Sequence, residues 1–247
     1  MYNDWFKILL ASAILLFILT LVIKRFAYFR PVYEMMAPTD MYLDIYEGNL
    51  HAWYKQGRSS KVILFCHGNG GNLSHRQNKL KEISQLGHSV LIFDYSGYGQ
   101  SRGVPNEQLC YANGEMFINY LLRKGYSLEN IIPYGESLGA AVAAFLARKY
   151  KLPKVVLENG LPGIKYLIRY WYPRLAFLGF IFDEFNTVSY LTGYSGKMLM
   201  LHSINDEIIP IQIVKELKDL SAVFVPMEGT HNSPVIPWAE VGNFINN

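Results

Sequence analysis

The chain has 247 residues, 51% of them hydrophobic and 17% charged, which excludes a disordered protein and suits one large α/β domain. The formal net charge is only +3 and no run of four Lys or Arg occurs, so the basic stripe of a nucleic-acid binder is missing. The two cysteines, Cys66 and Cys110, show no C-x-x-C spacing, which excludes zinc knuckles and thioredoxin-type chemistry; one disulfide is arithmetically possible, but the apolar, strand-like run around Cys66 favours two free thiols.

Ile8–Ile23 carries no charge. Extended back to Trp5, the run reaches about 28 Å as a helix, close to the thickness of a bilayer core. Trp5 at one edge and Phe26, Tyr28 and Phe29 at the other suit the aromatic belts of a membrane interface. A cleaved signal peptide has a shorter apolar region and a small-residue cleavage site, which F-A-Y-F-R-P is not; a buried helix is the third reading. The expectation is a single-pass transmembrane anchor over residues 5–23. Lys24, Arg25 and Arg30 behind it favour a cytoplasmic C-terminal domain, which keeps both thiols reduced.

Residues 24–40 read as a linker broken by Pro31 and Pro38, and residues 41–247 as the domain. Met41–Tyr46 and Leu50–Tyr54 flank Gly48-Asn49 as a hairpin. Continuous apolar strands then alternate with helices. Strands are expected at Lys61–Cys66, Ser89–Tyr95, Asn130–Tyr134, Lys154–Glu158, Lys197–His202 and Ala222–Pro226. Helices are expected at Leu73–Leu86, Glu107–Arg123, Leu138–Tyr150, Ile211–Leu220 and Pro237–Ile245. This pattern predicts a mostly parallel, doubly wound α/β sheet with its ligand site at the carboxyl ends of the strands.

The turns at those carboxyl ends carry the chemistry. Gly135-Glu136-Ser137-Leu138-Gly139 lies between a strand and a helix, where a tight turn exposes a serine hydroxyl as a nucleophile. The Leu138 amide, at a helix N-terminus, suits a developing oxyanion. Cys66-His67-Gly68-Asn69-Gly70-Gly71-Asn72 supplies a glycine-rich loop for a second donor; Asn69 is preferred and Gly70 is next. His67 precedes the nucleophile and reads as a brace for this loop. Of the histidines after Ser137, His202 ends an apolar strand and reads as buried. His231 lies in the turn after the last strand and suits the base. Asp206 comes after the penultimate strand and suits the acid, with Glu207 as understudy. Asp94 reads as a turn former, and Asp183 and Glu184 as helix caps or solvated charges. This chemistry requires no metal or cofactor.

These pieces together resemble the α/β-hydrolase superfamily from about Lys61 to the C-terminus. The motifs H-G-N-x-G-N and Asp94-Tyr95-Ser96-Gly97-Tyr98-Gly99-Gln100-Ser101 look like its membrane-associated branch, which includes protein depalmitoylases. The resemblance implies a Ser137–Asp206–His231 triad with an oxyanion hole from the amides of Asn69 and Leu138. The chain departs from the family at Leu201-His202-Ser203, where Gly is common in place of Ser203, in the turn that aims Asp206.

Residues 160–195 occupy the place of a lid and hold ten aromatics. They suit ordinary helix packing, an apolar acyl pocket or a surface that dips into lipid. Gly70, Tyr166, Tyr170 and Trp171 are the candidate substrate contacts. The expected activity is a membrane-anchored serine hydrolase acting on an ester or thioester of an apolar acyl group, from a lipid-like molecule or an acylated protein. The competing expectations are a non-catalytic scaffold on the same fold, a peptidase and an acyltransferase.

Overall fold

The computed structural model describes residues 2–28 and 42–247. The side chains at 2–4, 19, 21, 23–26, 178 and 180 lie outside the described set. So do most of the expected linker, including Phe29, Arg30, Pro31 and Pro38, and Met41 at the start of the expected hairpin.

Helix α1 spans Tyr2–Ala27. Two antiparallel strands come next, β1 (Leu43–Glu47) and β2 (Leu50–Lys55). The alternating part begins with β3 (Val62–Cys66), α2 (Gln77–Gln85), β4 (Ser89–Phe93) and α3 (Glu107–Arg123). It continues with β5 (Ile131–Glu136), α4 (Gly139–Lys149) and β6 (Lys154–Glu158). The lid segment forms α5 (Ile164–Trp171), a 3-10 stretch at Pro173–Ile181 and α6 (Thr187–Leu191). The chain closes with β7 (Lys197–Ser203), α7 (Lys215–Leu220), β8 (Val223–Met227) and α8 (Trp238–Asn246).

The eight strands form one sheet in the order β1-β2-β4-β3-β5-β6-β7-β8. All pairs from β4 to β8 in that order are parallel, and only the β1–β2 and β2–β4 pairs are antiparallel. The physical reason is visible in β3, where all five residues are buried. Successive side chains point to opposite faces of a strand, so both faces need cover. Val62, Leu64 and Cys66 join the core beneath α3 and α4, while Ile63 and Phe65 join the core beneath α2 and α8. Both cysteines are buried free thiols.

Two expected helices start later as α-helices than the periodicity suggests. The first begins as a 3-10 turn over Leu73–Arg76, because the Asn72 side chain accepts the Ser74 N–H while His75 Nδ1 accepts the Asn72 N–H. The second begins as a 3-10 turn over Ile211–Val214 after Pro210. Strand β5 runs two residues further than expected, because Gly135 and Glu136 pair with Leu157 and Glu158. That extension places the serine turn level with the ends of its neighbours.

Every described side chain of α1 from Trp5 to Ile18 is exposed. Among the described residues no helix is long and apolar enough to cross a membrane; for α1 the unbroken run of described side chains is residues 5–18. The end of α1 rests on the domain. The Ala27 carbonyl accepts the Asn69 Nδ2 at 2.9 Å, and the Tyr28 hydroxyl donates to Asp183 Oδ2 at 2.5 Å.

Candidate active site

Ser137 sits between β5 and α4 with φ +53°, a left-handed conformation that a side chain rarely adopts. Three backbone hydrogen bonds fix it, Ser137 N–H to Glu158 O at 2.9 Å, and Ala140 N–H and Leu161 N–H to Ser137 O at 3.1 and 3.0 Å. The flanking glycines are needed for clearance. A Cβ at 135 would lie 2.5 Å from Ala140 Cα, and one at 139 would lie 2.0 Å from the Cys66 carbonyl oxygen. The motif therefore welds the start of α4 to the ends of β3 and β5.

A chain of hydrogen bonds leads away from the serine. His231 Nε2 lies 3.0 Å from Ser137 Oγ, and His231 Nδ1 lies 2.8 Å from Asp206 Oδ2. The Asp206 carboxylate is buried, and its other oxygen accepts the Ile208 and Ile209 amides at 2.9 and 2.7 Å. Those two amides orient the carboxylate and leave one oxygen for the imidazole. Glu207 takes a different place, its carboxylate accepting the His231 backbone N–H at 3.1 Å. His202 is buried with Nε2 2.9 Å from the Ile209 carbonyl, and burial pushes its pKa down. It belongs to the support of the acid turn.

Ser203, where the family often has glycine, fits this turn without a positive φ. Its N–H donates to Asn159 Oδ1 at 2.7 Å, and its hydroxyl donates to the Thr230 carbonyl at 3.3 Å. Asn159 completes a clamp. Its Nδ2 donates to Ser203 Oγ and to the His231 carbonyl, each at 3.2 Å. Asn159 itself has φ +43°. Motif reading missed it; the only signal was an Asn-Gly pair at the carboxyl end of β6.

The loop after β3 is held from below by charges. Glu136 Oε1 accepts the Gly68 amide at 3.2 Å and Arg76 Nη2 at 2.6 Å, and Arg76 Nη1 donates to the Gly70 carbonyl at 2.5 Å. Lys79 bridges Glu136 and Glu158 at 2.5 and 2.6 Å. Burial works against the Glu136 carboxylate, but Arg76 and Lys79 outweigh it and hold its pKa well below the usual range.

Asp94 corrects the expectation of a simple turn former. It is fully buried, accepts the Leu73 amide at 2.8 Å, and lies 3.3 Å from His67 Nε2 and 3.7 Å from His51 Nδ1. Burial raises its pKa, but the two histidines and the Leu73 amide more than reverse that and lower it. His67 braces the loop as expected, with Nδ1 2.7 Å from the Gly68 carbonyl. The Asn69 side chain is engaged on both ends, donating to Ala27 O and accepting the Tyr98 hydroxyl at 2.6 Å.

Ser137, His231, Asn69, Gly70 and Leu138 line one cleft of about 890 Å³. One wall is apolar, from Leu161, Ile164, Leu167, Ile208 and Ile209; the other is polar, from His75, Arg76, Asn78, Lys79 and Glu82. Tyr166, Tyr170 and Trp171 are not among the residues that line it. Helix α5 brings Ile164 and Leu167 to the cleft instead, because residues three apart share a helix face. The Tyr166 hydroxyl bonds Glu216 at 2.8 Å, and Tyr170 and Trp171 are 43% and 49% exposed. Among the described residues no cluster of His, Cys, Asp and Glu is placed to hold a metal ion.

The family described as alpha/beta hydrolase fold matches residues 61–175. An uncharacterised protein of Mycobacterium tuberculosis is 30% identical over 243 residues, covering 92% of this chain and 86% of that one. The lysophosphatidylserine lipase ABHD12 of Danio rerio is 29% identical over 210 residues, covering 76% of this chain and 54% of that one. Among solved structures, the esterase Pf2001 of Pyrococcus furiosus superposes with a TM-score of 0.73 at 17% identity, over 89% of this chain and 97% of that one. The chain belongs to the alpha/beta hydrolase superfamily.

Proposed function

We propose that the protein is a membrane-anchored serine hydrolase that cleaves carboxylic esters or thioesters of apolar acyl groups. The observation that carries this reading is the Asp206–His231–Ser137 hydrogen-bond chain opening into a cleft with one apolar wall. Ser137 Oγ attacks the acyl carbon as His231 Nε2 takes its proton. Asp206 fixes the imidazole and stabilises the imidazolium without taking the proton. The Asn69 and Leu138 amides receive the oxyanion. Collapse of the tetrahedral intermediate breaks the bond to the leaving oxygen or sulfur, which receives the proton from His231. Water, activated by the same His231, then releases the acid and regenerates Ser137.

The acyl chain lies along Leu161, Ile164, Leu167 and Ile208, and the polar wall faces the leaving group. Anchoring is supported by α1, whose side chains from Trp5 to Ile18 are all exposed although almost all are apolar. A helix that is apolar on every face is stable only in an apolar surround. The positive residues behind it favour a domain on the cytoplasmic side.

The test is labelling of the full chain with a fluorophosphonate, beside Ser137→Ala. An activated serine reacts, and the label disappears in the variant. A folded wild-type protein that takes no label excludes the reading. A p-nitrophenyl ester series then tests the acyl wall, with kcat/KM rising from acetate to longer chains.

A further inference from the structure

The nine residues from Arg169 to Phe177 are all exposed. They read R-Y-W-Y-P-R-L-A-F, with two arginines, no acid and seven apolar or aromatic residues. Phe177 is 71%, Tyr172 63%, Trp171 49% and Leu175 48% exposed. A contiguous apolar patch on a protein surface marks a site of contact. Trp and Tyr beside Arg is the composition of a segment that sits at a bilayer interface, rings among the upper acyl chains and guanidinium groups at the phosphates.

Its place in the fold selects the occupant. The Pro173–Ile181 stretch packs against α1, and α1 ends at Asn69, on the rim of the cleft. At the other flank, Trp171 Nε1 donates to the carbonyl of Ile208, which lines the apolar wall. The exposed patch therefore runs from the anchor to the apolar side of the mouth. Lys165, Arg169 and Arg174 are the only charged residues from Ile164 to Phe182, which matches an anionic surface.

We propose that residues 169–177 are a second, interfacial contact with anionic lipid, which lays the mouth of the cleft on the bilayer so that acyl chains pass into it without crossing water. This rests on the anchored-hydrolase reading above. The anchor alone fixes distance from the membrane; the second contact fixes orientation.

The test uses the full chain with Ser137→Ala, so that turnover does not enter. An environment-sensitive fluorophore is placed at Ala176→Cys or, at the opposite end of the sheet, at Glu129→Cys; the native cysteines are buried. Each is reconstituted into phosphatidylcholine vesicles with about a third phosphatidylglycerol and challenged with bromolipid. The expected result is flotation with the vesicles, with a blue shift and quenching at 176 and neither at 129. Replacing phosphatidylglycerol by phosphatidylcholine weakens the signal at 176.

Flotation with equal, unquenched signals at both positions overturns the second contact while leaving the anchor standing. Failure to float overturns the anchor and this inference together. A blue shift at 176 that grows with protein concentration in detergent, and does not respond to bromolipid in vesicles, assigns the patch to a second copy and overturns it too. In the active chain, Leu175→Asp with Phe177→Asp lowers turnover of a vesicle-embedded long-chain ester by about tenfold. It leaves p-nitrophenyl acetate turnover and fluorophosphonate labelling unchanged, which shows that the site is intact. Equal loss on both esters counts against the proposal.

Discussion

The two sides of Ser137 are held by different means. On the histidine side, the clamp of Asn159, Ser203 and Thr230 is made of neutral groups. On the side of the loop after β3, the holding groups are Glu136, Arg76, Lys79, Glu158, Asp94 and His67, all of them ionisable. The difference reflects the chemistry. In the proposed mechanism His231 gains and loses a charge in each cycle, and the carboxylate set against its imidazole, Asp206, stabilises the charged state while neutral groups hold the turn around it. The loop has only to stay still, and buried ion pairs with several hydrogen bonds fix backbone well when every member is satisfied.

The sharpest test is on the histidine side. Asp206→Asn keeps an oxygen for the Ile208 and Ile209 amides but removes the charge facing His231. A fall in kcat of about four orders of magnitude is expected, read on p-nitrophenyl butyrate, with little change in melting temperature. A large loss of stability with modest loss of rate would mean that Asp206 is structural.

Glu136→Gln is the matching test on the charged side. It leaves Arg76 and Lys79 short of a partner and costs about 3–5 kcal/mol of stability, read by urea unfolding. The same network sets the acid limit. Glu136 and Asp94 have folded-state values below their ordinary 4.5 and 3.8. Their stabilisation is complete above those ordinary values and is lost as pH falls through the lower folded-state ones. The Glu136→Gln protein is expected to lose less stability than wild type between pH 5 and acid unfolding. Parallel profiles would remove the network from the acid transition.

Smaller effects return to the neutral clamp. Asn159→Ala removes three hydrogen bonds and is expected to cost about 1–3 kcal/mol, with a lower kcat and an unchanged KM. Asn159→Gly loses the same bonds but relieves the backbone at φ +43°, so the gap between the two variants measures the strain. Ser203→Ala loses only bonds of 3.2–3.3 Å and is expected to cost less than about 1 kcal/mol. A larger cost would make the hydroxyl essential to the turn.

The strands from β3 onward were readable because full burial on both faces demands unbroken apolar runs, and the parallel sheet then says where to look. Ser137, Asp206 and His231 each come just after a strand end, so chain order alone brought them to one edge, and the structure places them in hydrogen-bond contact. The clamps were not readable. Asn159 acts across two strand gaps on residues 44 and 72 positions away, a distance no local pattern records. Asp94 sits in a turn-like string, and nothing in that string tells that its carboxylate is sealed under the Gly99 backbone. The lid is a different case. Counting aromatics found the segment but not the face: the cleft takes Ile164 and Leu167, while Tyr170 and Trp171 stand outside it.

The close approach at Gly139 bears on how such a protein can change. The alanines of α4 are fully buried, and a single methyl at 139 would overlap the strand before the loop. Behind the serine, where α4 meets β3, there is no spare volume in which to try alternatives. Ile164 and Leu167 stand on the short helix α5 and Ile208 on the loop after β7, all partly exposed, where exchanges of size cost little. New specificity in this scaffold, whether selected in nature or at the bench, has its freedom in those three positions and almost none in the machinery they serve.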